Sequence, residues 1–276
     1  MGTEGLVSLE RRQIRHYSKA EFAQVFNSLL GERLSGRPEQ YIDEESEIQN
    51  YVIGSRKAVG MTVYHYAKMK AGASIGVGTQ LKGVGNSIGL IEQNTSAAPA
   101  SVAVGSMTIS IVDAVSAAHL YQNGKLFVWP AGAEVQAFDI VDNDASDGTD
   151  VVLYLNRPVR VAIAAGTFTS IYRNPYSAVQ AITDIGTGLA PVVGVPQRYV
   201  TAGYYFWLPT WGLVSAVQGE ALDGVGGPAV AFSLTDGAVW KLATSVTVPD
   251  SWQRAGHMMP EQTSGIDSGI FLELDP

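Results

Sequence analysis

From about residue 60 onward, apolar residues recur at every second position, and that rhythm constrains the fold more than any other feature of the chain. Residues 61–67 alternate. So do residues 106–112, where Met107, Ile109 and Ile111 share one face and Ser106, Thr108 and Ser110 the other. Side chains of an extended strand point to opposite faces in turn, so this rhythm is that of a half-buried β-strand. Further strands are expected over 125–129, 134–141, 151–155, 159–164, 167–172, 199–208, 213–217, 229–234, 238–242 and 269–274, where β-branched and aromatic residues dominate. Turn dipeptides punctuate the series at Asn123-Gly124, Asp147-Gly148, Asp223-Gly224 and Asp236-Gly237. The first of these reads as a type I′ hairpin. Strands at such spacing predict a mainly β chain whose body is a β-barrel or sandwich. No long helical period follows residue 60, which argues against a doubly wound nucleotide-binding fold.

Charge divides the chain. Its 276 residues hold 18 Lys+Arg and 26 Asp+Glu, a net of −8. Residues 1–70 carry 10 basic and 9 acidic side chains, and the rest of the chain carries 8 and 17. A charge-dense first quarter thus precedes a sparsely charged, acidic body. Residues 1–58 read as an N-terminal arm and 59–276 as a β-rich body, with room for two β subdomains meeting near 185–198. The arm holds one well-signalled helix, about residues 19–30. Ser18-Lys-Ala-Glu21 fits a capping box. Phe22, Val25, Phe26, Leu29 and Leu30 then line a single stripe, and Pro38 forbids continuation. So short a helix does not hold itself together alone, so its stripe must dock on the body or on a neighbouring subunit.

Several chemistries are excluded or left without support. The chain has no Cys, which removes disulfide scaffolds, thiolate metal sites and cysteine nucleophiles together. His16, His65, His119 and His257 never fall in metal-ligand spacing. Gly85-Asn-Ser-Ile-Gly89 has the spacing of a nucleophile elbow, yet neither a firm strand before it nor a helix after it is indicated. Asp139, Asp142, Asp144, Asp147 and Asp150 miss the calcium-loop pattern and read as a solvated hairpin loop. The Gly224–Pro228 segment lacks the Gly-Lys-Ser/Thr ending of a phosphate loop. No catalytic, cofactor-binding or metal-ligating residue is expected, and the protein is not expected to be an enzyme. No membrane span or signal peptide is indicated. Arg11, Arg12 and Arg15 form the main basic cluster, too small on an acidic chain to predict direct nucleic-acid binding.

The aromatic run Tyr204-Tyr-Phe-Trp-Leu-Pro-Thr-Trp-Gly212 stands out. It has the composition of a sugar-stacking platform. An alternating strand, however, places aromatics on both faces, which suits core plus subunit interface better. Candidate interface residues are therefore Tyr204, Tyr205, Trp207 and Trp211 in the body, with Arg11, Arg12, Arg15, Phe22, Phe26 and Leu29 in the arm.

Several segments carry a resemblance: Tyr66-Ala-Lys-Met-Lys-Ala-Gly-Ala-Ser74, His119-Leu-Tyr-Gln-Asn-Gly-Lys125, Ile171-Tyr-Arg-Asn-Pro-Tyr176, residues 194–212 and the closing run 269–274. In these segments the chain resembles virion proteins of tailed bacteriophages that are encoded near the major capsid protein, including the decoration (cement) class. The resemblance implies a protein of the capsid surface that binds the major capsid protein and stabilises the head. It also implies self-association, most often as a trimer. A tail or head–tail connector component is the alternative from the same virion, and a carbohydrate-binding β-protein the alternative from another class. The arm is expected to cross a subunit boundary.

Overall fold

The structure is a computed structural model that describes residues 34–72, 81–82, 96–98, 100–130, 132, 134–181, 191–219, 229–233, 237–242, 252–259 and 268–275. Arg11, Arg12, Arg15 and the helix expected over 19–30, with Phe22, Phe26 and Leu29, lie outside the described residues. So does Gly85–Gly89. Within them the chain is mainly β with curled sheets, and none of its helices is long and apolar enough to cross a membrane.

In chain order the strands are β1 (Glu45–Ser46), β2 (Arg56–Val59), β3 (Thr62–Lys68), β4 (Leu81–Lys82), β5 (Ser96–Ala97), β6 (Thr108–Val112), β7 (Lys125–Val128), β8 (Gln136–Asn143) and β9 (Asp150–Leu155). They continue with β10 (Phe168–Tyr172), β11 (Gln180–Ala181), β12 (Val192–Gly194), β13 (Tyr205–Ala216), β14 (Ala229–Phe232), β15 (Val239–Lys241), β16 (Gln253–Met258) and β17 (Ser268–Glu273). The larger sheet runs β15-β14-β16-β17-β13-β3-β2, with β1 also on β13. A second sheet runs β5-β10-β7-β8-β9-β6, and a small one β11-β4-β12.

Strand β13 organises the larger sheet. Its first half pairs with β3, from Tyr205↔Lys68 to Trp211↔Val63, and its second half pairs with β17, from Trp211↔Glu273 to Ala216↔Ser268. The hand-over falls between Pro209 and Trp211, where the register with β3 shifts; Pro209 fits inside the strand because its backbone faces away from β3, its carbonyl accepting from the Val195 N–H at 3.1 Å. Gly212 follows with a positive φ of 101°, and a Cβ there would lie 2.4 Å from the Met61 carbonyl oxygen. The two strands expected over 199–208 and 213–217 are thus one, because proline bends the ladder without ending it.

The six-stranded sheet is built from residues that lie between β3 and β13 in sequence, although β3 and β13 are neighbours in space. It surrounds its own core of Ile109, Ile111, Leu126, Phe138, Ile140, Leu153 and Ile171. Strand β8 pairs with β7 through its first half and with β9 through its second, which curls the sheet. The β8–β9 connection is the expected Asp147-Gly148 hairpin. The Asp147 carboxylate accepts from the Thr149 and Asp150 amides at 2.9 and 2.8 Å, and Gly148 has φ of 100°.

Three sequence expectations are corrected. Residues 34–58, assigned to the arm by charge, are woven into the body through β1 and β2. Asn123-Gly124 is not a type I′ hairpin: Asn123 alone has a positive φ (59°), and Gly124 N–H closes a turn onto the Tyr121 carbonyl. Residues 159–164 form only an isolated bridge, Val102↔Ile163. Strand β16, by contrast, follows no alternation visible in the sequence. Gly256 sits in it at φ 140°, where a Cβ would lie 2.0 Å from the Phe271 carbonyl oxygen. Gly256→Ala is expected to cost about 2 kcal/mol of stability, measured by chemical denaturation; an unchanged midpoint would show that β16 and β17 do not approach as described.

Candidate functional site

The aromatic run is the natural place to look for a site, and its residues separate sharply. Phe206 and Leu208 are fully buried on one face of β13, packed with Ala67, Met69, Val179 and Val200. Trp207 is 1% exposed on the other face. It meets Tyr51 and Tyr66 edge-on at centroid distances of 4.8 and 5.0 Å. Its indole N–H donates to the Gln40 carbonyl at 3.1 Å. Trp207, expected at an interface, is therefore a core residue in the single chain: Tyr66 of β3 and Tyr51 of the segment between β1 and β2 close over it.

Gln40 ties this cluster together. Its amide Nε2 donates to the Glu44 and Tyr205 carbonyls at 3.0 and 2.9 Å. Its Oε1 accepts from the Tyr66 hydroxyl at 2.6 Å and from Asn50 Nδ2 at 3.1 Å. Burial pushes the Tyr66 phenol up to about 12, against the Asn50 amide that donates to it. The phenol is therefore a fixed donor and not an acid. Removing the Gln40 side chain orphans it, so Gln40→Ala is expected to cost about 3 kcal/mol, read from urea denaturation, whereas a loss under about 0.5 kcal/mol would contradict the network.

Tyr204, Tyr205 and Trp211 keep part of their surface. Tyr204 donates its hydroxyl to Glu47, whose proximity raises the phenol's pKa. Tyr205 lies under Lys68 Nζ at 5.0 Å. Trp211 stands edge-on to Phe271 at 5.8 Å. The structure thus does not gather the run into one flat platform of exposed rings. The exposed aromatics that sequence reasoning missed are on the six-stranded sheet. Trp129 and Phe168 are 43% and 69% exposed, and Tyr172 and the half-buried Phe127 adjoin them. The signal was present: Leu126 and Val128 point inward, so Phe127 and Trp129 must point out.

One constellation imitates catalytic chemistry. His65 Nδ1 lies 3.0 Å from Thr210 Oγ1, and Nε2 lies 3.5 Å from the Asp275 carboxylate. Tyr176 stacks on the His65 ring at 4.8 Å and donates its hydroxyl to Asp275 at 3.2 Å. Thr210 is fully buried, and its Oγ1 is also 2.8 Å from the Asp275 carbonyl oxygen. Its hydroxyl proton is committed inside, and no substrate reaches it. The group fastens the segment after β17 onto β3 and β13. Among the described residues, no three His, Asp or Glu side chains are grouped to hold a metal ion.

Burial lowers the His65 pKa below 6.5, only partly offset by Asp275, while Arg56 lowers it further. The unfolded chain therefore binds the proton more readily than the folded one. The stabilising contribution is complete above about 6.5 and is lost as pH falls through the lowered folded value. His65→Gln is expected to flatten the decline of melting temperature between about pH 7 and pH 4, measured by scanning calorimetry against wild type. Parallel profiles would remove His65 as the titrating group.

No family model, curated protein or solved structure matches the chain.

Proposed function

We propose that the chain is a decoration protein of a tailed-bacteriophage head, binding the major capsid protein and stabilising the shell. Its body is a barrel- or sandwich-like β-unit, and the residues before Leu34, with their amphipathic helix over 19–30, are an arm that crosses to a neighbour. In this reading the protein works on the outer surface of the virion as a homo-oligomer, a trimer by the resemblance, and has no catalytic role. The observation that carries the reading is the resemblance of residues 66–74, 119–125, 171–176, 194–212 and 269–274 to virion proteins encoded beside the capsid gene.

The surface of the single chain supports it. Val115, Met61 and Phe168 are 75%, 72% and 69% exposed. The polar side chains of His65, Thr210 and Gln40 are consumed by internal bonds. Apolar side chains at the surface and polar ones in the core fit a subunit completed by its neighbours. Because residues 34–58 belong to the sheet, the arm to remove is 1–33. The truncated protein is expected to keep the β circular-dichroism spectrum and lose binding to expanded heads. Full occupancy of heads by the truncated protein would overturn the role given to the arm.

A further inference from the structure

The six-stranded sheet is polarised along its strands. At one end lie the start of β8, the end of β9 and the start of β10, with Trp129, Val135 and Phe168 exposed. Arg157 and Arg160 sit at that end, both exposed. Arg157 donates to the Ala137 carbonyl and lies over the Phe138 ring at 5.5 Å. Neither arginine has a carboxylate partner among the described residues, and Glu134, exposed beside Val135, is the acidic side chain before the start of β8.

At the opposite end lie the β8–β9 hairpin and the end of β6. Here Asp142, Asp144 and Asp147 lie beside Val115 and Val141, which are 75% and 52% exposed. Asp142 pairs with His119 at 2.8 Å, Asp144 accepts from the Tyr154 hydroxyl at 3.0 Å, and Asp147 caps turn amides. Among the described residues no Lys or Arg pairs with these three carboxylates. The ends are separated by the length of β8, roughly 23 Å at the usual strand rise. That is more than two Debye lengths at physiological salt, so they do not neutralise each other within one chain.

We infer that the two ends are complementary halves of one self-association contact, in which the acidic hairpin of one copy seats on the arginine- and aromatic-bearing end of a second. The occupant is a second copy of this chain because the two ends are complementary: apolar surface is present at both, two arginines outweigh Glu134 at one, and three carboxylates outweigh His119 at the other. Such a contact is head-to-tail, joining different surfaces of the two copies. It deepens the self-association part of the proposed function and does not depend on capsid binding.

The test is a charge swap on the full chain, read by sedimentation velocity at low and high salt. Wild type is expected above the 29.3 kDa of one chain and to lighten with salt. Arg157→Glu and Asp144→Lys are each expected to weaken association roughly tenfold or more. The double variant carrying both Arg157→Glu and Asp144→Lys is expected to recover wild-type mass, because at every contact of a ring of any size the exchanged charges meet opposite partners. Phe168→Ser, at a side chain on the surface, provides a variant without charge change and is expected to weaken association as well. A wild type at monomer mass, single variants that associate like wild type, or a folded double variant that stays as weak as the single ones would each overturn the contact. Loss of head binding with association intact would instead count against the decoration reading alone.

Discussion

A single twelve-residue strand, β13, carries hydrogen-bond ladders to three others, and the larger sheet depends on that sharing. The register with β3 slips between Pro209 and Trp211, and the second half of the strand turns to β17. Pro209 is tolerated at that point because its backbone faces the edge away from β3, where its carbonyl accepts from the Val195 N–H. Both faces of the strand are then covered: Phe206 and Leu208 by the core beneath the small sheet, Trp207 by Tyr51 and Tyr66. The segment 40–50 arrives on that second face and is held by the Gln40 amide, which satisfies two donors and two acceptors at once. Hydrogen bonding here fixes one arrangement of an aromatic cluster that hydrophobic burial alone would leave less specific.

The distribution of polarity follows from this economy. Side chains with chemical potential are spent on joining distant segments. His65, Thr210, Tyr176 and Asp275 join β3, β13, the turn after β10 and the end of β17. Asp113 accepts from Tyr121 at 2.6 Å and from Ser116, closing the loop that leads into β7. Large apolar side chains such as Met61, Val115 and Phe168 remain exposed at the surface. The proposed role in an assembly draws on this pattern, and the resemblance gives it a location.

Much of the fold was legible in the sequence because alternation is a local property. Strands β3, β6, β7, β9, β10 and β17 fall where the period of two puts them, and Asp147-Gly148 makes the expected hairpin. Three features were not legible, each because a distant contact decided it. Asn123-Gly124 lost its hairpin because Asn123 N–H and the Gly124 carbonyl both bond to Ile140, one strand away. Residues 34–58 look like an arm by charge, yet Lys57 lies over the Trp207 ring and Glu45 accepts from Thr201, on strands whose backbones pair with β3 and β13. Of the candidate site, Trp207 was read as partly interfacial because alternation reports facing and not depth. Only the arrival of residues 40–51 determines that its face is covered. Trp129 and Phe168 belong to separate stretches of sequence, and only the pairing of β7 with β10 makes them one surface.

The central claim, a structural subunit of the phage head, is tested most directly by counting copies of the chain in purified particles by quantitative mass spectrometry against the major capsid protein. The account predicts hundreds of copies in a fixed ratio to the capsid subunit. A handful, as in a single connector ring, or none at all, would contradict it.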